Sequence, residues 1–202
     1  LPSEVRFCSV CVESNQRPST TVEYQNVPGS KKEAIDFDDN SVCSACLFTE
    51  RKELTDWEER ERELIEVCNK YRRHDGSFDC LVPGSGGKDS IYVAHLLKHK
   101  YGMNPLTVTW APNLVTTWGR QNFDAWIASG QDNILVTPNV RTHRLLTRLA
   151  VDNLFHPFQP FIFGQKSLAP RIASKFGIQL IFYGEHEAEY GSPIKSNDFS
   201  LQ

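Results

Sequence analysis

Between Thr55 and Arg73 the apolar residues Trp57, Leu64, Cys68 and Tyr71 recur at helical spacing among the charged blocks "EERERE" and "NKYRR". Thr55 followed by Glu58 matches a capping box, so one amphipathic helix is predicted over 55–73, its charges on a solvated face. "RRHDGS" then reads as a loop. From residue 78 short apolar runs alternate with longer helical ones. "DCLVP", "LTVTW", "NILVT" and "QLIFY" are the predicted strands, and the predicted helices cover 89–100, 117–129, 139–155 and 166–176. Gly102, Gly130 and Gly177 stand where helices should stop. Strands alternating with helices imply an α/β fold, a parallel sheet with flanking helices, and ligands then bind beyond the carboxyl ends of the strands. No internal repeat or low-complexity tract interrupts the pattern.

The first 49 residues follow neither period. They carry two Cys-x-x-Cys pairs, Cys8/Cys11 and Cys43/Cys46. Each such turn points two thiolates at one ion, and two turns complete the tetrahedral set that zinc prefers. The 31 residues between the pairs exceed the usual spacing of about 15 to 20. Their richness in turn and polar residues predicts a long excursion from a small zinc module. Disulfides or unrelated thiols are the alternative. A zinc with all four positions filled by protein has no place for substrate, so its role is in folding. Cys68 and Cys80 fall in a helical and a strand-like pattern and read as small buried apolar residues. The predicted organisation is a zinc-binding module over 1–49, a linker helix over 50–75 and an ATP-binding domain over 76–202.

Composition narrows the partners. The chain has 202 residues, 40% of them hydrophobic, and a net charge of −3, whereas a protein that holds a nucleic-acid backbone normally carries a basic surplus. Nucleic acid is therefore disfavoured. No run of about 18 apolar residues or leader-like start is present, so no membrane association and a cytoplasmic location are expected.

The predicted first strand breaks into "PGSGGKDS", which opens the next helix. Glycines let successive N–H groups turn inward and approach an anion without a Cβ in the way. Phosphate is the natural occupant. Lys88 adds positive charge, and Asp89 adds a carboxylate that would repel phosphate unless magnesium lay between them. Nucleotide with magnesium fits both. The common phosphate-loop signature fails, because Asp89 follows Gly87-Lys88 and residue 82 is valine. The three spaced glycines of a dinucleotide site are missing as well.

"SGGKDS" resembles the signature of the pyrophosphate-loop ATPases. The resemblance implies an adenine nucleotide alpha-hydrolase-like fold, adenylation of a substrate oxygen and release of pyrophosphate. Carried across by position, it implies that Ser85, Gly86, Gly87 and Ser90 cradle the pyrophosphate end of ATP, that Lys88 neutralises it and that Asp89 holds Mg2+. The end of the second strand should supply the adenine platform, with Thr109 and Trp110 as candidates and core packing as the alternative for Trp110.

Several branches of that superfamily combine a four-cysteine zinc module with this loop, and two bear comparison. Transfer-RNA thiolation enzymes need downstream cysteines, and this chain has none after Cys80. The N-acetyl sugar amidotransferases, which make acetamidino sugars for O-antigen lipopolysaccharide and flagellin glycans, are similar along nearly the whole chain: "IDFDDNSVCSAC", "DCLVPGSGGKDS", "YGMNPLTVTWAP" and "IQLIFYGEHEAEYG". The pseudaminic acid amidotransferase is of this type. The match departs at His186, where Asn is commoner. By this resemblance, Gly184 would join the ATP site, and Glu185, Glu187, Glu189 and Tyr190 would face the glycine loop. Three carboxylates there could bind magnesium, orient a sugar or assist proton transfer, and a solvated acidic loop is the bland alternative. Gln165, Lys166 and Arg171 are candidates for the substrate or ammonia route, a helix packed on the sheet being the other reading. The chemistry implied is conversion of an acetamido sugar to an acetamidino sugar through an adenylate. Its ammonia would come from a separate glutaminase subunit, since no cysteine sits in a Gly-x-Cys-x-Gly elbow. Family members are longer, so part of the substrate domain is expected to lie outside these residues. A homo-oligomer is compatible with the sequence, and a non-catalytic nucleotide-binding scaffold is the alternative of a different class.

Overall fold

The computed structural model describes residues 2–16, 29 and 34–185. They fall into two compact units, one of residues up to Glu58 and one of Glu59–Glu185. In the first, isolated antiparallel bridges join Phe7 to Ser14 and Phe37 to Cys43, and helix α1 follows over Ser44–Glu53. Helix α2, Trp57–Tyr71, then begins. It opens two residues later than the predicted capping box, because the Thr55 hydroxyl donates back to the Arg51 carbonyl of α1. The region predicted as one linker helix therefore holds the end of α1, a turn and α2.

The second unit is built on a parallel sheet of β1 (Cys80–Pro83), β2 (Pro105–Trp110) and β3 (Asp132–Val136), in that order. Register runs Leu81 to Leu106 and Val108 to Ile134. Helices α3 (Lys88–His99), α4 (Thr117–Ala128), α5 (Val140–Leu154) and α6 (Gln159–Phe176) make the crossovers. Gly102, Gly130 and Gly177 all take positive φ beyond helix ends, where a Cβ would be strained. Helix α6 starts seven residues before the predicted position 166. Pro160 suits a first helical turn, where an N–H has no partner anyway, and Pro170 is accommodated inside the helix.

The segment predicted as a fourth strand pairs with β1 at a single parallel bridge, Leu81 to Ile181. Leu81 N–H donates to the Leu180 carbonyl and Phe182 N–H to the Leu81 carbonyl. The next bond on that side would come from the N–H of residue 83, which is proline and has none. The ladder stops there for that reason.

Successive residues of β1 point to opposite faces and fill two cores. Leu81 joins Leu106, Val108, Leu168, Ala169, Ala173 and Ile178 on the α6 face. Cys80 and Val82 join Cys68, Ala94, Leu97 and Met103 on the other, so α2 is part of this unit through Cys68 and Leu64. Burial pushes the Cys68 and Cys80 thiols up, which keeps them neutral and apolar in behaviour.

Candidate functional site

The glycine turn leaves the carboxyl end of β1, which has β2 on one side and residues 180–182 on the other. The chain moves from β1 to β2 on one edge and returns to the opposite edge only after α6. The crevice between β1 and residues 180–182 is therefore the topological switch point, where open α/β sheets bind ligands.

Crowding dictates the turn's composition. At Gly84 a Cβ would lie 2.5 Å from Ser90 and 2.6 Å from the Trp126 ring. Gly86 has φ +88, and a Cβ there would meet the Asn122 backbone of α4 at 2.7 Å. Gly87, the residue before α3, has open space over its Cα. Gly86 at positive φ turns the chain before Gly87, which is extended at φ −71 and ψ 152 and leads into α3. The N–H groups of Gly86, Gly87, Asp89 and Ser90 have no acceptor among the described residues, and α3 directs its positive end at the same place.

Gly184 closes the other side of this crevice. A Cβ on it would lie 2.8 Å from Ser90 N and 3.0 Å from the Asp89 carbonyl carbon. The end of the 180–182 segment thus presses on the first turn of α3 and brings Glu185, which is exposed, next to it. Sequence reasoning placed both elements at one sheet edge but gave no sign of so close an approach. It also missed Gly84 and Trp126, which support the loop from beneath; the signal was a glycine at the strand end with no phosphate role to explain it.

The remaining predicted residues are placed as follows. Lys88 Nζ lies 2.6 Å from Asp89 Oδ1, so the cation and the carboxylate predicted for phosphate and magnesium pair with each other across an exposed turn. Ser85 is exposed, and Ser90 is buried with its hydroxyl donating to the Gly87 carbonyl. Thr109 and Trp110, the predicted nucleotide platform, close strand β2. Thr109 is 1% exposed and its hydroxyl accepts a hydrogen bond from Asn133. Trp110 packs its indole onto Gly164 of α6, where no Cβ would fit, and against the core of that face. Strand β2 is buried on both faces from Pro105 to Thr109, and Trp110 at its end is half-buried. Gln165, Lys166 and Arg171 lie on the exposed side of α6, opposite the stripe of Gly164, Leu168, Ala169 and Ala173 that meets the sheet. Glu187, Glu189 and Tyr190 lie outside the described residues.

In the first unit Cys8, Cys11, Cys43 and Cys46 are positioned to hold a metal ion, with all four sulfurs within 4.8 Å of one another. Cys8 and Cys46 sulfurs are 3.9 Å apart, and those of Cys11 and Cys43 are 3.7 Å apart. Tetrahedral zinc with bonds of about 2.3 Å separates its sulfurs by about 3.8 Å, so the cluster fits that ion. Burial raises the Cys8 thiol, but backbone N–H groups of Cys43, Cys11 and Val10 outweigh it and bring Cys8 down to about 6. Hydrogen bonding to Cys11 and Cys43, then burial, pushes Cys46 up to about 12, and burial raises Cys43. A bound cation would supply the field that keeps the raised Cys43 and Cys46 thiols ionised. Cys43 caps the start of α1 and Cys46 lies on its first turn, so this helix begins at the cluster.

Among the described residues no helix is long and apolar enough to cross a membrane. No family model matches the chain. Over 101 residues, 50% of its length, it is 30% identical to an uncharacterized protein of Methanocaldococcus jannaschii. The matched stretch spans 31% of that relative.

Proposed function

We propose that the protein is a pyrophosphate-loop ATPase that adenylates the acetamido oxygen of a surface-glycan sugar and replaces that oxygen with nitrogen. The observation that carries this reading is the convergence of the glycine turn and Gly184 at the switch point, with unpaired N–H groups at the start of α3. Those donors suit a phosphate chain, and their fixed orientation means that no reorganisation is needed when charge develops on it. Lys88 stands at the rim of the same turn. With ATP bound, Lys88 would face the phosphates in place of Asp89, and the Asp89 carboxylate would hold magnesium. Magnesium would neutralise the departing pyrophosphate. Glu185, which follows Gly184 and is exposed, would orient the sugar or move a proton.

The balance is simple. The amide oxygen attacks the α-phosphate and pyrophosphate leaves; ammonia then adds to the imidoyl carbon and AMP departs with the former amide oxygen. No enzyme nucleophile is needed, in keeping with the lack of any cysteine after Cys80. A separate glutaminase would supply the ammonia, and the four-cysteine module would serve as a folded platform.

The test is incubation of the protein with ATP, magnesium, an ammonium salt and a panel of acetamido sugars, followed by mass spectrometry. Formation of AMP with a product lighter by the difference between O and NH is expected, and Asp89→Ala should abolish both. ATP binding without either product, with glutaminase added, would support the non-catalytic scaffold instead.

A further inference from the structure

We infer that His95 and His99 of α3 form a surface clamp for a divalent late first-row transition ion, separate from the four-cysteine cluster. The two residues are four apart in the helix, both are exposed, and their ring centres stand 4.6 Å apart with the planes inclined at 43°. Residues at this spacing project over the same helix face. An imidazole bound through about 2.1 Å has its ring centre about 3.2 Å from the ion, so two on one ion have centres about 4.5 Å apart at a right angle and about 5.2 Å apart at the tetrahedral angle. The observed 4.6 Å is nearer the right-angle spacing than the tetrahedral one, which suits an octahedral or square ion such as Ni2+ or Cu2+ better than zinc.

The surroundings do not oppose a cation. Lys98, between the two in sequence, donates its ammonium to the Gly130 carbonyl. Lys100, next after His99, is paired with Glu61 at 2.6 Å. Both positive charges are thus engaged away from the imidazoles, and neither ring makes a hydrogen bond among the described residues. Two protein ligands leave the ion's other positions to water or to a ligand brought from outside.

The full chain, first supplied with one equivalent of zinc to fill the cysteine cluster, would be titrated with Ni2+ in a calorimeter. Wild type should take up one further equivalent, and His95→Ala and His99→Ala should each weaken that uptake roughly tenfold or more. Paramagnetic Ni2+ should also broaden the imidazole signals of His95 and His99 before those of His74. Exposed substitutions on this face should leave the melting temperature unchanged, so loss of binding is separable from loss of fold. Absence of uptake beyond zinc would overturn the proposal and leave the ring approach as simple stacking. Uptake that is equal in both variants would overturn it too.

Discussion

Residues 2–58 bury Cys8, Asn15 and Cys43 among the described residues, whereas residues 59–185 bury two apolar clusters around β1. Phe7, Val10 and Val12 of the first unit remain exposed, and α1 buries nothing. The described residues of the first unit therefore bury little apolar surface against chain entropy, and a metal held by its four convergent sulfurs would contribute what they do not. The second unit needs no such device. Stability in the two units thus answers to different variables, metal and pH in one and side-chain volume in the other.

The largest effect should come from removing metal. Structural zinc in small modules contributes about 10–16 kcal/mol at neutral pH, far more than the three buried residues can. A strong chelator, or Cys43→Ser, should abolish hydrogen-exchange protection over α1 and the Cys8 turn. Protection in β1, β2 and α6 should persist. Simultaneous loss in both units would break the comparison and show that the second depends on the first.

Next in size is Leu81→Ala, which empties a position that is 0% exposed at the centre of the α6-face core. A loss of about 2–5 kcal/mol is expected in the second unit. Thermal melting of wild type and variant would measure it, and metal content should stay unchanged. A shift in metal content would show that the units communicate.

Gly86→Ala acts locally. It places a methyl 2.7 Å from the Asn122 backbone at φ +88, and the strained backbone alone costs about 1–3 kcal/mol. Because α4 must shift to make room, ATP binding should fall more than the melting temperature does. Isothermal titration beside a melt separates the two; equal binding by variant and wild type would remove the turn from the nucleotide site.

What hydropathy revealed and what it did not follow the same division. Strands β1 to β3 were legible as short apolar runs and helices α3 to α5 from helical spacing between them, and the four cysteines were legible from spacing. Helix α1 was not, since "SACLFTERKE" has no apolar stripe and starts at the cysteine cluster instead of at a core. The fourth strand was over-read for a different reason. "QLIFY" has strand composition, but pairing is limited by Pro83 on the neighbouring strand, information that lies a hundred residues away. The surroundings of Thr109 and Trp110 were not legible because β2 is buried along nearly its whole length, so alternation gives no direction toward either face. The approach of Gly184 to α3 depends on tertiary packing alone.

The smallest effect tests the second unit's surface. Glu61 accepts from Lys100 at 2.6 Å and also from the Tyr101 hydroxyl, and the Lys100 ammonium holds the Glu61 carboxyl below its usual value. A depressed carboxylate stabilises the fold above its unfolded pKa, and that contribution is lost as pH falls through the folded value. Stability of the second unit should therefore decline from slightly above the ordinary glutamate range downward, and Lys100→Met should flatten that part of the profile. The pair is exposed on both sides, so water and salt screen it and the effect is small. High salt should bring wild type close to the variant. Denaturant melts at neutral and acidic pH, at low and high salt, would detect the difference. A profile that Lys100→Met leaves unaltered would assign the acid sensitivity to other carboxylates, such as Asp75, which hydrogen bonds from Ser77 hold low.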